Sequence, residues 1–180
     1  DGGVRFKIYN AGGALALSDV LPMLENMGLR VIDEFPYRMA AADGRQEVWI
    51  HDFGVIDRSG AEIDVAETKS RFQDAFARTW RGEVEDDGFN QLITRAGLGW
   101  RQVVVLRAYC KYLRQAKIPF SQAYMEQTLA SNPDFARLLI ALFEARFDPA
   151  TAKPKEEARI TDAIIEALDD VTSLDQDRII

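Results

Sequence analysis

The hydrophobic periodicity changes once along the chain, and this change constrains the fold more than any other feature. Near the amino terminus, Val4, Phe6 and Ile8 alternate with charged residues, which is the two-residue period of a strand with one buried face. From Asp86 onward, apolar residues recur every three or four positions, which is the period of an amphipathic helix. We therefore expect an α+β fold in which a small sheet-containing module precedes an all-helical bundle.

The first module is predicted to have the order strand, helix, strand, strand, helix. The first strand lies around Val4 to Ile8, and the helix after it runs through Met27, with Ser18 and Asp19 as its N-cap and Pro22 near its first turn. Two strands at 29–40 and 45–53 follow, joined by a hairpin at Asp43 and Gly44. The last element is a helix at 64–81. This βαββα order is most of a ferredoxin-like unit. The fourth strand is missing, so we expect an open sheet edge that another segment or subunit covers.

The second domain is predicted to be helical throughout. A polar linker at about 82–88 separates a first domain at 1–82 from a second at 83–180. Predicted helices cover 89–96, 100–117, 121–131, 133–147 and 156–174. The last one carries an apolar strip, Ile160, Ile164, Leu168, Val171 and Leu174, which needs a partner.

The predicted helix at 100–117 carries a row of cations at Arg107, Lys111 and Arg114, spaced by four and three residues. Two interpretations remain open for this row. It is either a solvated face, which is the usual role of a charge stripe, or a docking surface for an acidic domain or subunit.

Few residues of the chain form a pattern that is typical of a catalytic site. Gly97-Leu98-Gly99 lacks the third glycine of a dinucleotide-binding loop and follows no predicted strand, so a helix end is the favoured interpretation. Gly12-Gly13 lies between a strand and a helix, which leaves a small-ligand loop open. His51 beside Asp52 is one interpretation of a general base, but adjacent strand residues point to opposite faces, which favours a structural histidine.

The lone cysteine and the net charge exclude several classes of protein. Cys110 is expected to be a small core residue, with an exposed reactive thiol as the alternative, and one histidine with one cysteine offers no metal-ligand cluster. The net charge of −7 argues against nucleic acid as a partner, and no apolar run reaches the roughly 20 residues that span a bilayer. We expect a cytoplasmic protein, and we expect both chain ends to be cuts through a longer polypeptide.

Several segments resemble the non-catalytic region of the large bacterial NAD-dependent glutamate dehydrogenases. The most specific are the segments at 28–37, 49–53, 97–115, 146–149 and 173–179, which read GLRVIDEFPY, WIHDF, GLGWRQVVVLRAYCKYLRQ, RFDP and SLDQDRI. The resemblance implies an ACT-like regulatory module followed by helical motifs that lie before a catalytic domain. ACT-like modules are ferredoxin-like and often bind amino acids or pair through their sheets.

The resemblance implies a parent enzyme that oxidatively deaminates L-glutamate to 2-oxoglutarate and ammonia with NAD. No catalytic or cofactor-binding residue matches onto this chain, so the implied role is regulation and assembly, with the catalytic domain of the same chain and a homo-oligomer as partners. The alternative is a purely structural oligomerisation or spacer domain. The residues expected to bind an amino-acid effector lie in the loop between the first strand and the first helix: Asn10, Gly12, Gly13, Leu17 and Ser18.

Overall fold

The computed structural model describes residues 3–40, 47–149, 154–169 and 171. Contacts divide the chain into two compact units at 1–87 and 88–180. The sequence analysis predicted domains at 1–82 and 83–180, with a linker at about 82–88 between them. The predicted fold class is confirmed, because a small antiparallel sheet with two helices precedes a region in which every element among the described residues is a helix. The predicted hairpin at Asp43 and Gly44 and the end of the last predicted helix lie outside the described residues.

The first unit contains β1 (Val4–Ala11), α1 (Leu17–Asn26), β2 (Leu29–Ala40), β3 (Glu47–Asp57) and α2 (Val65–Trp80). The strands form an antiparallel sheet in the order β1-β3-β2, with Phe6 opposite Phe53 and Lys7 opposite Asp52. A bulge between Val31 and Asp33 shifts the register of β2 against β3. In the described residues β1 pairs on one side only, as expected from the missing fourth strand.

Both helices of the first unit pack on one face of the sheet. The ring of Phe6 meets Phe72 and Phe76 of α2 edge-on, at centroid distances of 5.2 and 5.0 Å. Leu24 of α1 and Phe53 of β3 are fully buried. The alternation seen in the sequence therefore corresponds to one covered and one open face of the sheet.

The start of α1 differs from the prediction. The N-cap is Ala16, whose side chain makes no capping hydrogen bond, and the Ser18 hydroxyl bonds the Asp19 carboxylate instead of a backbone amide. Pro22 is consequently the sixth helical residue, so its missing N–H falls inside the helix. By contrast, Asp64 caps α2 as its position suggests, accepting a bond from the Glu67 amide at 3.1 Å.

The second unit begins with a 3₁₀ turn (Gly88–Gln91) and continues with α3 (Leu92–Arg95), α4 (Trp100–Gln115), α5 (Gln122–Ser131), α6 (Pro133–Phe147) and α7 (Pro154–Asp169). Its core is built from side chains of several helices: Phe89, Leu92, Ile93, Val103, Leu106, Met125, Phe135 and Ile140. Cys110 is also buried, as predicted. An apolar cleft of about 470 Å³ lies between α4, α5 and α6.

Polar side chains form hydrogen bonds between the helix ends of the second unit. Arg137 of α6 donates from Nε to the Ala96 carbonyl at 2.9 Å, so the exposed carbonyls at the end of α3 gain a donor. Gln102 accepts a bond from the Gly99 amide and donates to Glu144 of α6, both at 2.8 Å. Of the predicted apolar strip on α7, Ile160 is buried, and Leu174 lies outside the described residues.

Candidate functional site

The loop that joins β1 to α1 is held in shape by its own residues. The Asn10 side chain donates from Nδ2 to the Gly13 carbonyl at 2.9 Å, closing a tight turn. Gly12 has φ of 98°, a conformation that side chains disfavour, and its amide donates to the Glu47 carbonyl at 3.0 Å. Three of the predicted effector residues, Asn10, Gly12 and Gly13, therefore lie together in one turn.

His51 fixes the other half of this loop from the centre of the sheet. Its ring is 3% exposed and lies between Trp49 and Phe53, each at a centroid distance of 6.3 Å. Nε2 accepts a hydrogen bond from the Leu15 amide at 3.0 Å, and Nδ1 lies 2.8 Å from the Glu34 carboxylate. Because Nε2 accepts, the hydrogen is on Nδ1, and the ring is neutral.

This arrangement makes His51 a structural clamp. Both ring nitrogens already have partners inside the fold, so neither is free to accept a substrate proton. The alternative of a general base paired with Asp52 is wrong, because Asp52 lies on the opposite face of β3 and pairs with Arg5 at 2.9 Å. The sequence analysis missed Leu15, Glu34 and the contact that His51 makes with the loop.

The start of α1 contains the remaining predicted effector residues. Leu17 is 41% exposed and Ser18 is exposed. Asp19 lies in the first turn, where a carboxylate already complements the partial positive charge of the helix N-terminus.

A cleft of about 340 Å³ runs beside this loop, along the edge of β1 that pairs with no strand among the described residues. One wall is β1 from Phe6 to Asn10 together with Leu15, and the other is α2 with Phe76 and Trp80. Asn10 is the one predicted effector residue that lines it. The cleft is the space that a fourth strand of a ferredoxin-like sheet would fill.

The three cations predicted for docking do not share one environment. Arg107 is 3% exposed, donates from Nη2 to the Asn90 side chain at 3.0 Å and lies 5.9 Å from the centre of the Phe89 ring. Its charge is engaged inside the helical unit, which corrects its placement on a surface ridge. Lys111 and Arg114 are exposed, and Arg114 reaches Gln122 at 3.4 Å.

Comparison with known proteins assigns each unit to a domain. Residues 1–68 match the model of the glutamate dehydrogenase ACT3 domain, and residues 84–149 match that of glutamate dehydrogenase helical motif 3. The chain carries the ACT3 domain and helical motif 3 of the glutamate dehydrogenase family. The candidate effector loop and the His51 clamp lie in the ACT3 domain, and Arg107, Lys111 and Arg114 lie in helical motif 3.

Similarity to individual members of the family extends over nearly the whole chain. The NAD-specific glutamate dehydrogenases of Halomonas elongata and Pseudomonas aeruginosa are 44% and 45% identical to it, over 99% and 97% of its length. That of Mycobacterium tuberculosis is 42% identical over 96%. The chain spans about 11% of the length of these relatives.

Within residues 3–40, 47–149 and 154–169, no group of three or more histidine, cysteine, aspartate or glutamate side chains is placed to hold a metal ion. Among the helices described, none is both long and apolar enough to cross a bilayer.

Proposed function

We propose that the chain is the regulatory and assembly region of a large NAD-dependent glutamate dehydrogenase. In this proposal the full-length enzyme converts L-glutamate, with NAD, to 2-oxoglutarate and ammonia, and its catalytic domain lies elsewhere on the same polypeptide. The observation that carries the proposal is the match to NAD-specific glutamate dehydrogenases over up to 99% of this chain but only 11% of theirs. The full-length enzyme is cytoplasmic and homo-oligomeric, and the chain alone has no activity.

This assignment is tested by measuring glutamate-dependent reduction of NAD by the full-length polypeptide and by the purified 180-residue chain. We expect activity from the first and none from the second. Turnover by the chain alone would contradict the placement of the catalytic domain elsewhere on the polypeptide. Inactivity of the full-length polypeptide towards glutamate would contradict the assigned reaction.

The regulatory part of the proposal concerns the loop from Asn10 to Ser18. The Asn10–Gly13 and Leu15–His51 hydrogen bonds order the loop before any ligand arrives, which reduces the entropy that binding must offset. The exposed start of α1 offers backbone amides for a carboxylate, and Asp19 offers a partner for an ammonium group. These groups suit the zwitterion of a free amino acid.

Titration of the chain with single amino acids, followed by NMR, tests the effector site. We expect one or a few amino acids to shift the amide signals of Leu15, Leu17 and Ser18. Asn10→Ala should abolish these shifts because it opens the turn. Asn26→Ala is the matched control, since Asn26 makes a single side-chain bond to Asp86 at 3.0 Å from the opposite end of α1. Absence of shifts across all amino acids would eliminate the effector site.

The alternative is a purely structural oligomerisation or spacer domain. It is favoured by the edge of β1 that lacks a partner strand in the described part of the chain. It predicts concentration-dependent self-association of the chain without any response to amino acids. Analytical ultracentrifugation together with the amino-acid titration discriminates the two. A monomer that binds an amino acid supports the regulatory role, and a dimer that binds none supports the spacer.

Assembly with the rest of the enzyme is assigned to the exposed pair Lys111 and Arg114. Replacing both by glutamate should weaken association with the catalytic portion, whereas the same change at Lys69, on the exposed side of α2, should not. Equal effects at the two places would remove the docking role.

A further inference from the structure

The loop between β1 and α1 is joined to the sheet through a side chain that titrates. The Leu15 amide donates to Nε2 of His51 at 3.0 Å, and Nδ1 of the same ring lies 2.8 Å from the Glu34 carboxylate. A ring nitrogen of histidine accepts a hydrogen bond only while it carries no proton. The bond to Leu15 therefore exists only in the neutral ring, and a proton can bind Nε2 only by displacing the Leu15 amide.

The other contacts of the ring do not depend on its being neutral. With a proton on both nitrogens, Nδ1–H still donates to Glu34, and a bond between two charged groups is stronger than one with a neutral donor. Trp49 and Phe53 stack on the ring at interplanar angles of 23° and 19°, and this packing does not involve the proton on Nε2. By contrast, a proton on Nε2 would point at the N–H of Leu15, so two donors would meet. Of these contacts, only the bond to Leu15 is lost on protonation.

On the three strands, Glu34 is the charged group that contacts the ring. The residues directly opposite the ring on β1 and β2 are apolar. Lys7 and Asp52 lie on the other face of the sheet, where they pair at 3.4 Å. Glu47 of β3 shares the face of the ring but lies four positions away and pairs with Arg38. The counter-ion for a charged ring is therefore the Glu34 carboxylate.

The two helices that cover this face place no second counter-ion at the ring. The half-buried Arg71 of α2 and the exposed Asp19 of α1 bond neither ring nitrogen. Among the described residues of α1 and α2, the buried ones carry no charge: Val20, Met23, Leu24, Phe72, Ala75, Phe76 and Thr79. Proton uptake by the ring is therefore balanced between the attraction of Glu34 and the loss of the Leu15 bond.

We propose that protonation of His51 at Nε2 releases the Leu15 amide, so that the loop between β1 and α1 opens as the pH falls. The ring takes one proton from solvent, and the Leu15 amide exchanges its bond to the ring for one to water. Leu15 is half-buried and its neighbours Ala14 and Ala16 are exposed, so the amide can turn to water while the ring stays in place. Ala16, the N-cap of α1, makes no side-chain capping bond that would oppose this change.

The first half of the loop is held by bonds that do not involve the ring. The Asn10 side chain donates to the Gly13 carbonyl, and the Gly12 amide donates to the Glu47 carbonyl. We therefore expect the turn at 10–13 to keep its shape, while the segment from residue 14 to the start of α1 is released. The opening is local and does not require the sheet to unfold.

The consequence for amino-acid binding rests on the proposed function, in which the ordered loop is the form that binds the effector. Protonation of His51 should then weaken binding of the amino acid. Because coupling between two ligands is reciprocal, a bound amino acid should lower the pH at which His51 takes up its proton.

NMR on the unaltered 180-residue chain from about pH 8 to about pH 5, where histidine ordinarily titrates, tests the proposal. Ring ¹⁵N shifts report the proton on Nε2, and the ratio of intrinsic to observed exchange rate reports the protection of each amide. Below the midpoint of the His51 titration, we expect the protection of Leu15 to fall by about tenfold per pH unit, while that of Phe53 stays constant.

Four results would overturn the proposal. These are a ring that stays neutral throughout this range, a protection of Leu15 that does not change as the ring titrates, an equal loss of protection at Phe53, and uptake of the proton by Glu34. The third result would mean that the domain unfolds. The fourth would appear in the ¹³C shift of the Glu34 carboxylate, with the Leu15 bond intact.

Two variants assign the effect to the ring. In His51→Gln, an amide oxygen replaces Nε2 as acceptor and does not titrate, so the protection of Leu15 should no longer depend on pH. Glu34→Gln removes the counter-ion and should move the release by about one pH unit or more towards acid. Release in His51→Gln at the same pH as in the unaltered chain would assign it to another group and overturn the proposal. If His51→Gln does not fold, the ring titration of the unaltered chain still decides.

Titration with single amino acids at both ends of the pH range separates this proposal from the effector site. Release of Leu15 without binding of any amino acid leaves the pH switch standing and removes the effector site. Binding that is equally tight with the loop closed and released would remove the coupling between them. Binding that weakens as the ring takes up its proton supports both.

Discussion

Replacement of His51 by alanine should strongly destabilise the ACT3 domain. The substitution leaves the Leu15 amide and the Glu34 carboxylate without their partners, and it removes a ring that is 3% exposed and stacked between Trp49 and Phe53. Each stranded polar group costs about 1–3 kcal/mol and the cavity adds to this, so we expect a loss of about 3–5 kcal/mol. That is a large share of the 5–15 kcal/mol or so that typically stabilises a domain.

Amide hydrogen exchange by NMR measures this loss in each unit separately. The amides of Leu15 and Phe53 should exchange 100-fold or more faster in His51→Ala, whereas that of Leu106 in helical motif 3 should keep its rate. Glu34→Gln is the matched control, because an amide oxygen still accepts from Nδ1–H of a neutral ring, and it should cost about 1 kcal/mol. The reasoning fails if Leu15 exchange is unchanged in His51→Ala, or if Glu34→Gln is as damaging, since the second result would mean a charged ring.

Further substitutions, three of them paired with a comparison variant, test other parts of the structure. Gly12→Ala should lower the urea midpoint by the equivalent of about 1 kcal/mol because φ is 98°, whereas Gly13→Ala, with equal free space, should change it by a few tenths. Lys117 follows the end of α4 with φ of 64°, which glycine adopts more readily, so Lys117→Gly should stabilise helical motif 3 by about 0.5–1 kcal/mol in thermal melts. Gly82 follows α2 with φ of 70°, so Gly82→Ala should have the opposite effect and destabilise the ACT3 domain. The hydrogen bond from Arg5 holds the pKa of Asp52 below its ordinary value of 3.8, so Asp52 stabilises the fold above that value and its contribution is lost as the pH falls through the lowered pKa. Asp52→Asn should therefore flatten the pH dependence of the unfolding free energy below about pH 4, and an unchanged slope would contradict the pairing. Arg107→Ala should cost about 2–3 kcal/mol in urea unfolding, while Lys111→Ala, one turn along on the exposed side, should cost less than about 0.5 kcal/mol.

Local periodicity was enough to predict the order of strands and helices in both units, but not all of their bounds: β3 continues to Asp57 beyond the predicted end at 53, and α1 begins earlier than its predicted cap. Ser18 followed by Asp19 is a typical N-cap pattern, and a helix starting there would have put Pro22 in its first turn. The helix instead begins at Leu17. The turn that Asn10 closes and the bond from Leu15 to His51 fix where the chain enters the helix, and the second of these joins residues 36 positions apart. A pattern read over a few neighbouring residues cannot reveal a contact between residues so far apart in the sequence.

The structural role of His51 could be predicted from the sequence, but the partners of its ring could not. Strand alternation placed His51 and Asp52 on opposite faces, which argued against a catalytic pair and for a structural ring. The partners of the ring depend on β2 lying beside β3, with a bulge at Val31 and Asp33 that changes which β2 side chains face the helices. Glu34 reaches His51 because of that bulge, and its position was not readable from the sequence.

The spacing of Arg107, Lys111 and Arg114 predicts that they share one side of α4, but it does not predict that all three are exposed. Residues 107, 111 and 114 do share one side of α4, but Val103 lies four positions before Arg107 and Cys110 three positions after it, so Arg107 also lies on the apolar face. An arginine is stable in that place only where its charge is compensated, and Asn90 and the ring of Phe89 supply this compensation in the fold. A change at Arg107 therefore acts on partners only through the stability of helical motif 3. Charge reversal at Lys111 and Arg114 acts at the surface itself, and comparison of the two kinds of change separates docking from folding.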